Sequence, residues 1–446
     1  MFGQNTMESH FSRDFSLDKA YFFGYNTIES YFSRRRCIFT AYIKRDIEAQ
    51  ILALTKEYSA LLVTGPRQVG KTTVLRQLAE GNRDYVSLDD LEQRALAVND
   101  PALFIQLHQP PVFIDEVQYA PQLFPYIKMV IDNGAPAGSY WLTGSQAFRM
   151  MELARESLAG RVAILHMPAM SQHELFGSGD TCPFSPDISL MRERKLSHAP
   201  ADMPEIYRRI WRGALPGIAT GKYGNNEVFY SSYMQTYVER DISEIMPGVD
   251  KLVFSDFIRA AACRIGQLLN VHDIAQDVGV SDDTAKRWLL ALEKSEIIFY
   301  LRPYSNNLLK RTVKTPKLYF FDTGLVAYLT RYSSPEILMN GALNGAILEN
   351  YTVLEIIKSY ANAARDCPMW FYRDRDNKEI DMVIEADGQL HPLEIKRSVN
   401  PGTELTGVFS LLDKGTLPRG TGALLCMRPN LSAIDAKSLL IPIWMI

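Results

Sequence analysis

The chain has 446 residues, of which 47% are hydrophobic and 22% charged, with a formal net charge of −3. That length exceeds one ordinary core and predicts two or three domains, and the mixture describes a globular chain rather than a disordered one. No apolar run approaches the roughly 18–20 residues that span a bilayer, and the N-terminus lacks an uninterrupted apolar stretch, so neither a membrane span nor a secretory signal is expected. The five cysteines (Cys37, Cys182, Cys263, Cys367 and Cys426) are scattered, which offers no zinc motif and fits reduced thiols in a cytoplasm. The charge balance decides nothing about nucleic acid, because a local basic face can sit inside a balanced total.

In chain order, FGQNTMESHFSR (Phe2–Arg13) recurs as FGYNTIESYFSR (Phe23–Arg34). Two copies do not make a repeat fold. Residues 1–41 therefore read as a poorly ordered extension, with a docking peptide as the alternative. An amphipathic helix is expected from Tyr42 through Leu54. Strand signals follow at Leu61–Thr64, Tyr85–Asp90, Pro111–Val117, Ser139–Ser145 and Arg161–Met167. Short apolar strands between helical stretches imply a parallel sheet covered on both faces, with active groups at the carboxyl ends of the strands.

The first strand runs into GPRQVGKTT, comprising Gly65, Pro66, Arg67, Gln68, Val69, Gly70, Lys71, Thr72 and Thr73. Gly, four residues, then Gly-Lys-Thr is the phosphate-loop spacing. The amides must curl around a β-phosphate, and glycine permits the backbone angles and the close approach. The helix that follows points its positive end at the anion. Lys71 is expected to neutralise β/γ oxygens and Thr72 to ligate Mg²⁺. Asp115, ending an apolar strand in VFIDE, is placed to hold that magnesium through water. Glu116 is placed to orient and polarise an attacking water. Ser145 or Gln146 would lie near the γ-phosphate. Arg161 is a candidate for stabilising transition-state charge, within the subunit or on a neighbour's nucleotide; an ordinary salt bridge is the competing reading.

Gly177–Pro204, rich in Ser, Pro and Asp, reads as a linker or surface insertion. Leu268–Tyr304 reads as helix, turn at Gly279, helix capped by Ser281, then a strand pair. Ala275, Val280, Ala285, Trp288, Leu289 and Leu292 are its expected core. The pattern resembles a winged helix-turn-helix. DNA contact through Lys286 and Arg287 is resisted by Asp282 and Asp283 at the same helix end, and the basic stretch with Arg311 and Lys314 is the better phosphate contact. A protein-interaction or lid module that moves with nucleotide state is the equal alternative.

Near the C-terminus, Asp381 precedes an apolar strand, a hairpin turn follows at Asp387-Gly388, and the return strand ends in Glu394-Ile395-Lys396. Glu394 and Lys396 share a face by the strand period of two, and the hairpin brings Asp381 alongside. Two carboxylates so placed can bind Mg²⁺ while Lys396 orients or deprotonates a water, and Glu349 on an upstream helix would complete the metal shell. The order Glu…Asp…Glu-x-Lys resembles the PD-(D/E)xK nucleases. A retained fold in which Glu394 and Lys396 form a structural ion pair is the alternative.

GPRQVGKTT, FIDEVQ, LTGSQ and SLAGR in this order resemble the AAA+ ATPase domain of a prokaryotic family that carries a C-terminal domain of unknown function, DUF4143. RGALPG, YVERDI, KLYFFDTGL and GAILEN extend the resemblance over about Arg45 to Arg397. It implies an α/β fold: an AAA+ parallel sheet over 42–220, a winged-helix-like helical domain over 221–335, and a restriction-endonuclease-like α/β domain over 336–446. It also implies ATP and Mg²⁺ as cofactors, ATP hydrolysis, and an assembly of several copies whose number no residue fixes. Two functions compete. In one, ATP hydrolysis drives or licenses a DNA-directed nuclease-like domain. In the other, nucleotide sets a conformation in a regulatory module that binds DNA or protein, with slow turnover and no cleavage.

Overall fold

The five N-terminal strand signals condense into one sheet, with three strands buried throughout and the two edge strands partly exposed. The structure is a computed structural model, and it describes residues 42–144, 158–177, 182–238, 246, 248–305 and 315–446. The duplicated N-terminal segment, Ser145, Gln146, Arg311 and Lys314 lie outside the described residues. The strands are β1 (Ala60–Thr64), β2 (Asp84–Ser87), β3 (Val112–Asp115), β4 (Tyr140–Thr143) and β5 (Val162–His166). They pair in the order β2-β3-β4-β1-β5, all parallel. Alternate side chains serve opposite faces. Leu61, Val63, Phe113 and Trp141 belong to one core, and Ala60, Leu62, Val112, Ile114 and Leu142 to the other.

Helices α1 (Glu48–Thr55), α2 (Lys71–Ala79), α3 (Leu91–Asn99), α4 (Pro101–Leu107) and α5 (Leu123–Asp132) accompany this sheet. The expected first helix begins at Glu48 rather than Tyr42. The Glu48 carboxylate accepts the Arg45 N–H at 2.6 Å and the Tyr42 hydroxyl at 2.7 Å, which holds the preceding turn out of helical form.

After β5 come α6 (Gln172–Phe176) and α7 (Ile188–Ser197). The second gives helical structure to Gly177–Pro204, the segment read as a linker or surface insertion. Asp187 caps α7 by accepting the Ser189 and Leu190 amides, and Met191 and Arg194 are buried. Arg194 donates to the Cys182 carbonyl at 2.6 Å and the Met445 carbonyl at 3.2 Å, so the polar-looking segment is tied down by one cation.

The middle of the chain holds α8 (Met203–Arg212), α9 (Asn226–Tyr233), α10 (Lys251–Ala262), α11 (Val271–Val278) and α12 (Asp282–Lys294). Strands β6 (Ile298–Leu301) and β7 (Lys317–Phe320) form an antiparallel pair beyond α12. The turn between α11 and α12 is as expected: Gly279 has φ 72° and Ser281 accepts the Thr284 amide. Trp288 meets Phe254 and Phe257 edge-on, at ring centroids of 5.2 and 5.1 Å. The expected core residues Ala275, Ala285, Trp288, Leu289 and Leu292 are buried, with Val280 packed at the rim.

Beyond α13 (Thr323–Leu329) and α14 (Pro335–Asn340), the long α15 (Asn344–Asn362) leads into β8 (Met369–Arg373), β9 (Glu379–Ala386), β10 (Gln389–Lys396), β11 (Gly422–Cys426), β12 (Ser432–Asp435) and β13 (Ser438–Pro442). Their order is β12-β13-β11-β10-β9-β8, a mixed sheet. The β9–β10 hairpin turns at Asp387 and Gly388, with φ 50° and 70°. Two consecutive left-handed residues are what a tight two-residue hairpin needs. Among the described residues no helix is long and apolar enough to cross a membrane. Residues 42–446 form one compact unit.

Candidate active site

The end of β1 releases the chain into a loop that needs glycine at its two ends. Gly65 has φ 139°, and a Cβ there would lie 2.2 Å from the Met167 carbonyl oxygen. Gly70 has φ 96° and caps α2 without a side-chain acceptor. The first amides of α2 are therefore left for an anion. Lys71, buried, turns back and donates to the Gly65 and Pro66 carbonyls at 2.8 and 2.9 Å. Burial pulls its ammonium down to about 8, and the carboxylates of Glu116 and Glu296 work against that fall.

Asp115 faces the loop from the end of β3. Thr72 Oγ1 donates to its carboxylate at 3.0 Å, and the Tyr85 hydroxyl donates to Oδ2 at 3.2 Å. Thr143, at the end of β4, donates to Oδ1 as well. Burial raises the Asp115 carboxyl above its usual range, while the Thr143, Thr72 and Tyr85 hydroxyls oppose the rise. Glu116 has φ 57°, a left-handed geometry that turns its side chain away from the strand direction. Its N–H donates to Thr143 Oγ1 at 3.2 Å, and Gln118 donates to Oε2.

Two elements that sequence reading missed brace the loop. Arg45, 3% exposed, donates to the Val69 carbonyl at 2.9 Å, the Pro168 carbonyl at 2.8 Å and Glu174 Oε1 at 2.8 Å. Glu174 is itself fixed by a capping box with Ser171, the pattern S-x-x-E that the sequence does display. His166, the last residue of β5 and paired with Thr64, meets Glu296 at 2.7 Å. Glu296 comes from the corner between α12 and β6.

In the C-terminal sheet the hairpin brings its carboxylates together. Asp381 Oδ2 accepts the Ile395 N–H at 2.9 Å and Lys396 Nζ at 3.2 Å. Glu394 lies 2.7 Å from the same ammonium and accepts the Asp381 N–H at 3.3 Å. Burial and the Asp381 charge raise the Glu394 carboxyl, with Lys396 pulling it down. Glu349 on α15 is engaged otherwise. It accepts Lys317 Nζ at 3.0 Å and the Tyr319 hydroxyl at 2.5 Å, and Lys317 also meets Glu379 at 2.6 Å. Burial lowers the Lys317 ammonium, yet Glu349 and Glu379 more than offset it, so it is held above its ordinary range. Among the described residues no three His, Cys, Asp or Glu groups converge to hold a metal ion. Of the expected Glu349–Asp381–Glu394 shell, Asp381 and Glu394 lie side by side across Lys396, and Glu349 carries Lys317.

Family models match three segments: an AAA domain over residues 57–176, a domain of unknown function (DUF8612) over 203–336, and a domain of unknown function (DUF4143) over 344–446. The chain has the AAA–DUF4143 architecture. An uncharacterized protein of Mycobacterium tuberculosis, Rv2008c, is 26% identical over 372 residues, covering 83% of this chain and 77% of the relative. The uncharacterized Mb2031c of Mycobacterium bovis matches to the same extent. Among solved structures, a Walker-type ATPase of Pyrococcus abyssi aligns with TM-score 0.41 and 14% identity over 65% of this chain and 96% of that one. A RuvB variant of Thermotoga maritima aligns with TM-score 0.28 and 16% identity over 57% and 88%.

Within this AAA–DUF4143 chain, the expected loop residues, Asp115 and Glu116 gather at the carboxyl edge of the parallel sheet. Arg161 does not join them. It precedes β5, at the opposite edge, about 16 Å away along the strand, and pairs with Asp132 and the Ala159 carbonyl. Ser145 and Gln146 fall outside the described residues. Thr143, two residues earlier, is the β4 hydroxyl found on Asp115.

Proposed function

We propose that this protein binds ATP with Mg²⁺ at the Gly65–Thr73 loop, hydrolyses it, and uses the nucleotide state to reset its helical middle region. The observation that carries this is the joint placement of Lys71, Thr72 and Asp115 at the start of α2, beside a loop whose Gly65 packs so closely on the Met167 main chain that no Cβ would fit. Those groups suit a magnesium–triphosphate: amides and an ammonium for the phosphates, a hydroxyl and a carboxylate for the ion. Bound there, Mg²⁺ would supply neutralisation of charge on the phosphate oxygens. Glu116, aimed by Gln118, would accept a proton from the water it orients. The decisive experiment is ATP turnover by the intact protein beside Lys71→Ala and Glu116→Gln. Equal turnover in all three sinks the assignment.

For the C-terminal sheet, the lysine-bridged carboxylates favour the switch reading over cleavage. Lys317 and Lys396 already compensate Glu349, Glu379, Asp381 and Glu394. In this reading the sheet binds or transmits, and the helix-turn-helix segment contacts DNA through the basic stretch containing Arg311 and Lys314. Incubation of plasmid DNA with Mg²⁺ or Mn²⁺ tests it: nicking that Asp381→Ala abolishes would restore the nuclease reading. Loss of DNA binding and a shallower salt slope in the Arg311→Ala, Lys314→Ala double variant would support the contact. Arg161 is proposed to act, if on any nucleotide, on that of a neighbouring copy; turnover per chain that does not rise with protein concentration rules this out.

A further inference from the structure

The corner between α12 and β6 carries a residue whose chemistry does not suit its backbone. Glu296 has φ 55°, the left-handed position just past a helix end that is usually given to glycine. Its carboxylate reaches across to the ATPase sheet, where Oε1 meets His166 Nε2 at 2.7 Å. Oε2 is buried and has no hydrogen-bond partner among the described residues. An unsatisfied buried carboxylate oxygen calls for an explanation. The surroundings suggest one. Pro66 and Val69 of the phosphate loop, His166, Glu296 and Ile297 line a common cavity of about 30 Å³, room for about one water. Lys71 is close enough that Glu296 is second only to Glu116 in supporting its ammonium.

We infer that Glu296 is a tethered anion that competes with nucleotide phosphate for Lys71 and His166. This rests on the reading of the phosphate loop given above. In the closed form the carboxylate holds the α12–β6 corner against His166 at the end of β5, beside the loop. A triphosphate entering that loop brings like charge beside Glu296, so its binding expels the carboxylate and moves the corner away. His166 is then free to turn from Glu296 toward the phosphates. Glu296 is thus a positioning residue that converts phosphate occupancy into displacement of the helix-turn-helix segment.

The test is titration calorimetry of ADP and ATP with the full chain, comparing wild type, Glu296→Gln and Glu296→Gly, with thermal unfolding alongside. The glycine variant suits the left-handed backbone and so retains the fold even where glutamine fails. Removing the carboxylate is expected to tighten ADP and ATP binding about tenfold, a typical coupling. Hydrogen exchange is expected to rise at residues 293–298 on adding ADP to wild type and to change little in either variant. If wild type binds ADP and the variants bind equally or more weakly, Glu296 is no competitor. If wild type binds neither nucleotide, the phosphate-loop assignment itself fails and this inference falls with it.

Discussion

Arg45 Nη1 donates to the Val69 carbonyl of the phosphate loop at 2.9 Å, from a position 24 residues earlier in the chain. The same guanidinium reaches Pro168 beyond β5 and the buried Glu174. One cation therefore fixes the loop, the exit of β5 and the start of α6 to each other. A planar five-donor group does this where an ammonium could not.

Removing that clamp should be costly. Arg45→Ala leaves the Glu174 carboxylate, fully buried in the pair, with the charge uncompensated. Breaking such a buried pair costs about 3–5 kcal/mol. Urea unfolding should show that loss, and nucleotide affinity should fall with it. A change under about 1 kcal/mol would mean that the clamp is not structural.

Glu116→Gln should separate binding from turnover. Nucleotide affinity is expected to stay, because the loop amides and Lys71 are untouched, while turnover falls about 100-fold or more. Calorimetry and phosphate release measured on one preparation check both halves. A variant that turns over normally would move the water-orienting role elsewhere.

His198 predicts an acid limit to stability. Burial, aided by the Arg194 charge, pushes its imidazole down to about 3. The unfolded chain takes up that proton near pH 6.5, whereas the folded chain does not until about 3. The stability it contributes is thus fully present above pH 6.5 and lost as pH falls toward 3, by at most about 5 kcal/mol. His198→Phe should flatten the urea midpoint over that window. An unchanged slope would assign the acid sensitivity to other groups.

Lys317→Ala should expose what the C-terminal cluster can do. It strips the shared ammonium from Glu349 and Glu379, leaving Glu379 with Arg373 at 3.5 Å, at about 3–5 kcal/mol. Mn²⁺ is then expected to raise the variant's melting temperature while leaving wild type unchanged. No rescue at millimolar Mn²⁺ would mean that the carboxylates are purely structural.

The phosphate loop was legible because its chemistry is contiguous: nine successive residues specify strand end, turn and helix start. Asp115 and Glu116 were legible because an apolar strand ends on them. The β9–β10 hairpin was legible because Asp387-Gly388 encodes its turn. What escaped depends on residues far apart in sequence. Arg45 meets Glu174 across 129 positions, and His166 meets Glu296 across 130. No local period reports such pairs. Lys317 escaped for a subtler reason. KLYF reads as a plain strand, and only the fold reveals that its first residue faces two glutamates. The helix within Gly177–Pro204 escaped because few apolar residues, Met191 chief among them, share its buried face with the charged Arg194.

Helix α15 and the C-terminal carbonyls meet on the segment that leaves β5. Glu355 accepts the Gln172 amide at 2.7 Å, Lys358 donates to the Met170 carbonyl at 2.9 Å, and Gln172 Nε2 donates to the carbonyls of Ile443 and Ile446. Any excised ATPase fragment would shed the partners of its own sixth helix, and any excised C-terminal fragment would bare a salt-bridged seam. A chimera that exchanges the halves must therefore keep Glu355, whose partner is a main-chain amide that any residue but proline offers, and the Gln172 side chain that reaches the last carbonyls.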